Sequence, residues 1–418
     1  MSPNPTHNDG RTGPHIAMMI LTAAITFGML LPLILIFMQG PSVTAELAVG
    51  FAISVGGLFV TRQMRELKRA VPYVVCMVPY MALAYYWKDL DNDLTAKYTL
   101  GLILYLVPAG LLMRELTDRG QGRGVLLGII VSSLCLAAAG LEVLHTVGIE
   151  NLVKSMGITL SRNNVENETY KYLHFFVITN VIIGMSTFGV CALTCVVVLI
   201  LDVPVLVKIL SLVGFAIGLY INVQVITRGA IVSAALGLIL SLPWVASVMG
   251  PRKVFKYTLL AVTGIAGILA YGYFFKRSIW EKVSVLTDRI TESGDDTRLT
   301  HWNEAVGIIQ RDVWGGGRGF MQTHTWAHNF FLDMALTAGI PGFLSLLALL
   351  LVAFFHIGRV LLRGRRTLDP VFLVLLALFL AVLVLTMTSP PSLPLFGILL
   401  LAAGFFARPF NRDQGHGY

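Results

Sequence analysis

Two histidines four residues apart, an asparagine, an aspartate and a glycine-proline-glycine break share one stretch, HTWAHNFFLDMALTAGIPG, from His324 to Gly342. An imidazole can exchange a proton near physiological pH, which makes His328 a candidate for chemistry. Two arginines stand apart from the other basic residues: Arg228 in VQVITRGAIVSAALG and Arg298 in GDDTRLTHWNEA. A guanidinium stays charged and offers a planar fork to phosphate oxygens, so the pair suits a phosphate or pyrophosphate held beside the imidazole. Each residue also has a plainer role open to it. His328 can cap or pack a helix at a membrane edge, Arg228 can reach lipid phosphates, and Arg298 can pair with Asp295 or Asp296.

The elements that must position these groups are apolar. The chain is 56% hydrophobic with only 13% charged residues, and its mean hydropathy is +0.76, a composition that excludes a soluble globular protein. Runs long enough to cross a hydrocarbon core, which takes roughly 20 residues per helix, are expected near 16–38, 43–61, 71–87, 97–113, 124–144, 173–200, 204–222, 230–249, 256–275, 340–360, 371–388 and 393–409. The third, fourth and last are near the short limit. The runs lack the alternation of a barrel strand, and an open sheet cannot satisfy its edges in lipid. An all-α polytopic membrane protein of about 12 spans is therefore expected, with residues 1–418 forming a single transmembrane domain.

Short connections rich in Lys and Arg mark the cytoplasmic side. TRQMRELKRA (61–70), RELTDRGQGR (114–123), GPRKVFK (250–256) and HIGRVLLRGRR (356–366) are basic and alternate with uncharged or acidic ones. Both termini are then cytoplasmic, and the formal net charge of +8 is accounted for by this inner skirt without any nucleic-acid partner. Two outer segments are long, 145–172 and 276–327. The second is too short for a core of its own and is expected to fold against the bundle as a binding element. Cys76, Cys135, Cys191 and Cys195 all fall in apolar runs, where they act as small hydrophobes.

From His328 to Leu362 the chain is too long for a single crossing, and GIPG at 339–342 is where a helix should break. A short interfacial helix over 328–338 is expected before the tenth span, with His328, Asn329 and Asp333 at its start. His324 could pair with His328 as a ligand or touch an acceptor, although no third zinc ligand stands at useful spacing. GGGRG at 315–319 reads as a flexible turn and not a nucleotide loop, with Arg318 as a further phosphate or glycan contact. Trp302 and Trp326 suit either stacking on sugar or the aromatic interface belt. Asp89, Asp91 and Asp93 in KDLDND could gather a divalent cation or simply form an acidic outer loop.

The segment HNFFLDMALTAGIPG fits H-N-x(9)-G-x-x-G and resembles the signature of bacterial O-antigen ligases (WaaL type) within the wider O-antigen polymerase and ligase family. TRGAIV, TRLTHWNEA and VWGGGRGF are similar to that family's arginine, R-x(3)-W and G-x-G segments, in the same order, with Val232 where the family form has Leu. The resemblance implies a GT-C-like glycosyltransferase of the bacterial inner membrane. It would move polysaccharide from undecaprenyl pyrophosphate to a lipid A-core sugar on the periplasmic face. By matching position it implies that Arg228 and Arg298 hold the donor pyrophosphate and His328 serves the acceptor hydroxyl. His324, Asn329, Arg318, Trp302, Gly339 and Gly342 are the accompanying substrate-binding candidates, and no metal or other cofactor is expected. The alternatives are an O-antigen polymerase with the same donor and, from another class, a polytopic transporter. A transporter commonly places ionisable groups mid-membrane, whereas here they gather at one face.

Overall fold

The computed structural model describes residues 12–37, 43–87, 96–147, 205–225, 228–252, scattered positions between 254 and 274, and 297–321, 327, 329–362, 369–387 and 393–408. Among these the regular structure is helical: α1 Thr12–Phe37, α2 Val43–Val60, α3 Val71–Trp87, α4 Ala96–Leu116, α5 Gly122–Val147, α6 Val205–Val225, α7 Arg228–Met249, α8 Thr297–Arg311, α9 Phe330–Leu362, α10 Pro370–Thr386 and α11 Leu393–Phe406. Five of the helical stretches are long and apolar enough to cross a membrane, namely Ile16–Ile36, Val43–Val60, Met64–Trp87, Ala96–Leu141 and Phe330–Leu362. This is the architecture of a helical membrane protein. The fourth stretch contains a left-handed Gly120 at φ 78° in the turn Thr117–Gln121, so it supplies both α4 and α5. The expected run 173–200 and most of 256–275 lie outside the described residues.

The bundle is built around α4, α10 and α11. Along α10 the residues from Val371 to Ala377 are at most 1% exposed, as expected of a helix that is apolar all round. In lipid the hydrophobic effect does not drive helices together, so close backbone approach through small residues must supply the packing. The crossing of α4 and α11 does this with reciprocal glycines. A Cβ on Gly110 would lie 2.5 Å from the backbone nitrogen of Phe405, and one on Gly404 would lie 2.8 Å from Cα of Val107. On α5, Gly124 and Gly128 seat Thr22 and Thr26 of α1 in the same manner, and Gly237 of α7 lies against Ala377 and Ala381 of α10.

The two ends of the bundle differ. At one end the basic connections meet the start of α10 and the end of α11. Arg114 is 1% exposed and lies 2.8 Å from Asp118 and 3.3 Å from Asp369, over the ring of Phe405. Glu115 takes Arg119 at 2.5 Å and also Arg408. Gln63 Nε2 donates to Glu115 at 3.3 Å, and Arg69 Nη1 donates to the carbonyl of Ala407 at 2.9 Å. Asp369 also caps α10, accepting from the amide of Phe372 at 2.7 Å. Connections 61–70 and 114–123, expected on one side, thus touch one another. Several of their charges are neutralised inside the protein and do not form an open basic skirt.

Helix α3 runs from that end to the other, antiparallel to α9. Tyr73 faces His356 near its beginning, and the amide of Tyr80 donates to Ser345 Oγ at 3.2 Å farther along. Trp87 therefore arrives at the opposite end, where α10 finishes at Met387 and α9 begins.

Candidate functional site

Helix α9 starts with a cap made by its own sequence. Asn329 Oδ1 accepts from the amides of Phe331 at 3.0 Å and Leu332 at 3.2 Å, two of the donors that a helix N-terminus leaves unpaired. Its Nδ2 donates to the carbonyl of Met387 at 3.1 Å, which pins the start of α9 to the end of α10. One turn on, Asp333 is fully buried. Its carboxylate accepts from the amide of Ala327 at 2.7 Å and that of Asn329 at 3.2 Å. A negative charge in the first turn also suits the helix dipole. The chain on both sides of position 328 is therefore held by a single carboxylate.

The expected helix break is present and falls slightly before the proline. Ala338 (φ −126°, ψ 22°) and Gly339 (φ 63°, ψ −163°) leave helical geometry, dividing α9 into 330–337 and 340–362. Pro341 sits in the first turn of the second piece, where a missing N–H costs nothing. Gly339 is needed twice over: its φ disfavours any side chain, and a Cβ there would collide with the carbonyl of Val313 and the amide of Gly315. Gly342 packs under the first piece, and a Cβ on it would lie 2.6 Å from the carbonyl of Met334.

The glycine run lies against this break. Ile340 N donates to Val313 O at 2.9 Å, and Gly316 N donates to Thr337 O at 3.2 Å. Gly315, at φ 97°, has no room for a Cβ, which would lie 2.6 Å from both Gly339 N and Thr337 O. Trp87 closes the other side, its indole N–H donating to Trp314 O at 3.0 Å with its ring against Gly316. The GGGRG segment is a turn as expected, but a clamped one and not a free loop. Segments that the sequence offers as separate motifs, GGGRG and G-x-x-G, form one interlocked unit.

Helix α8 packs on the same unit. Ala305, Ile308, Ala327 and Leu336 form a small buried cluster, and Trp302, Ile309, Met321 and Leu332 pack around it. Trp302 thus packs on the cluster that holds Ala327, the neighbour of position 328. Its Nε1 is buried and has no hydrogen-bond partner among the described residues, a donor available to a polar ligand. Arg298 stands one helical turn before Trp302 on α8.

No protein-family model matches the chain, and no curated protein matches it. The described geometry brings Trp302, Asn329, Asp333, Gly339 and Gly342 into one region at the end of the bundle opposite the ion network. Arg228 is the first residue of α7 and Arg318 belongs to the short turn Gly317–Phe320. His324, Trp326, His328, Asp89, Asp91 and Asp93, together with the side chains of Arg228, Arg298 and Arg318, lie outside the described residues. Trp87 and Met387 support the site although no sequence motif marks them, and Trp314 supports it from within the segment VWGGGRGF.

Proposed function

We propose that the chain is an O-antigen ligase of the bacterial inner membrane, a GT-C-like glycosyltransferase of about 12 spans. It would transfer polysaccharide from undecaprenyl pyrophosphate to a sugar of lipid A-core at the periplasmic face. The observation that carries this reading is the capture of the Ala327 and Asn329 amides by Asp333. It braces the chain on both sides of a histidine in a segment that fits H-N-x(9)-G-x-x-G. A base that must meet one hydroxyl gains from such bracing, because a small misplacement of a reacting group costs large factors in rate.

The chemistry follows from the groups. The acceptor hydroxyl oxygen attacks C1 of the donor sugar while the C1–O bond to pyrophosphate breaks, and undecaprenyl pyrophosphate leaves as an anion. His328 takes the hydroxyl proton. Arg228 and Arg298 stabilise the charge that builds on the leaving oxygens, which fixed cations in a water-poor site do effectively. The outcome is single displacement with inversion at C1. An antiparallel course of α7 against α10, crossing at Gly237 and Ala377, would bring Arg228 to the level of Met387 and Asn329. His324, Arg318 and Trp302 are the remaining candidate contacts to phosphate or glycan.

In this topology the ion-network end faces the cytoplasm, as do both termini, and the site faces the periplasm. The test is a deletion strain examined by lipopolysaccharide gel. Loss of all O-antigen bands with accumulated lipid-linked polymer supports a ligase. A core carrying a single repeat would indicate an O-antigen polymerase instead.

A further inference from the structure

Apart from the site, one surface is unusual for a segment expected to stand in water. Trp314 is 68% exposed and Phe320 63% exposed, with Val313 beside them at 41%. All three belong to the stretch just before the α9 motif. Large apolar side chains this open on an aqueous loop would be costly, and exposed apolar surface of this kind marks an interaction site.

The neighbouring helix shows what covers it. Along α3 the buried residues Tyr73, Met77, Tyr80 and Ala84 face the protein, while Val71, Val75, Val78, Tyr85 and Tyr86 form the opposite, exposed stripe. In an apolar spanning helix that stripe faces hydrocarbon. It ends in Tyr85, Tyr86 and Trp87, the residue types that settle at the boundary between acyl chains and headgroups. Trp87 is joined directly to the loop, through its N–H to Trp314 O and its ring against Gly316. Trp314 therefore stands where the lipid-facing stripe of α3 ends, at interfacial height.

We infer that residues 313–320 dock on the bilayer, with the rings of Trp314 and Phe320 immersed in its interfacial layer. This goes beyond the ligase reading and does not depend on it. The docked turn is clasped to Thr337 and Ile340 across the α9 break. The membrane thereby sets the height of the turn, the break and the short helix together, and holds the chain around position 328 beside the headgroups. An amphiphilic substrate would be met there without leaving its leaflet.

The inference is tested by tryptophan fluorescence of the full chain in vesicles of phosphatidylcholine, with or without bromine near the upper end of the acyl chains. The chain has six tryptophans, so the Trp314 signal is read as the difference between wild type and Trp314→Phe. The hydrogen bond from Trp87 goes to a backbone carbonyl and survives that substitution. The expected result is a Trp314 signal that loses most of its intensity in the brominated vesicles. Phe320→Trp in the Trp314→Phe background provides a second probe, with the same loss expected. Signals from positions 314 and 320 that bromine leaves unchanged, whether water or a second copy of the chain covers the rings, would overturn the inference.

Discussion

Asn329 and Asp333 fix each other: Asn329 caps the helix that carries Asp333, and the Asp333 carboxylate accepts the amide of Asn329 at 3.2 Å. The pair resembles a capping box lengthened by one residue, and its second oxygen reaches back to Ala327. What it secures is the chain on either side of His328, and the predictions begin there.

Asp333→Ala leaves the amides of Ala327 and Asn329 without their acceptor. Unpaired buried donors cost on the order of 1–3 kcal/mol each. The expected outcome is a protein that still inserts and is lower in Tm, and that transfers glycan roughly a hundredfold more slowly although His328 is intact. Asp333→Asn keeps one acceptor oxygen and should fall between the two. Wild-type transfer by the alanine variant would show that the brace has no part in catalysis.

Gly339→Ala is expected to be severe, since it adds strain at φ 63° to a collision with Val313 and Gly315. At Gly358, in the same helix, an added Cβ would meet nothing within 4 Å among the described residues. Gly358→Ala should be neutral or raise stability by up to about 1 kcal/mol. Thermal unfolding in detergent reads both, and equal effects would contradict the clasp.

Arg114 sits between two carboxylates at the other end of the bundle. Arg114→Met leaves Asp118 and Asp369 without it, and removing one partner of a buried pair costs about 3–5 kcal/mol. Asp369→Asn added to Arg114→Met should restore part of the loss. Strict additivity of the two changes would show that the ions are not coupled.

Asp118 adds a pH dependence. Burial pushes its carboxyl up to about 6, Arg114 draws it down and Asp369 raises it, and burial also raises Asp369. The unfolded carboxyl titrates near 3.9, so between about 4 and 6 the folded chain holds more protons than the unfolded one. Stability from this group is complete below the unfolded value and is lost as pH rises through about 6, a change of at most ~3 kcal/mol. Asp118→Asn should flatten the curve of Tm against pH across that window. An unchanged curve would contradict the assignment.

What is legible in the sequence follows from the range of the interactions concerned. Helices are readable because a span is a local run of apolar residues, and the α9 break because Gly339 and Pro341 act locally. The Asn329 cap is equally local. The ion network is not readable, because Arg114 and Asp369 are 255 residues apart and Glu115 and Arg408 are 293 apart. Counted along the chain, these residues look like solvated loop charges. The clasp is hidden for the same reason: GGGRG looks like a free turn until the backbone of Gly339 is placed against it.

The most direct test of the account is transfer by purified His328→Ala in proteoliposomes, with lipid-linked polysaccharide as donor and lipid A-core as acceptor. The substitution should leave the protein folded and inserted and slow transfer by about 10²- to 10⁴-fold, the usual contribution of a general base. Transfer within a few-fold of wild type would contradict the account.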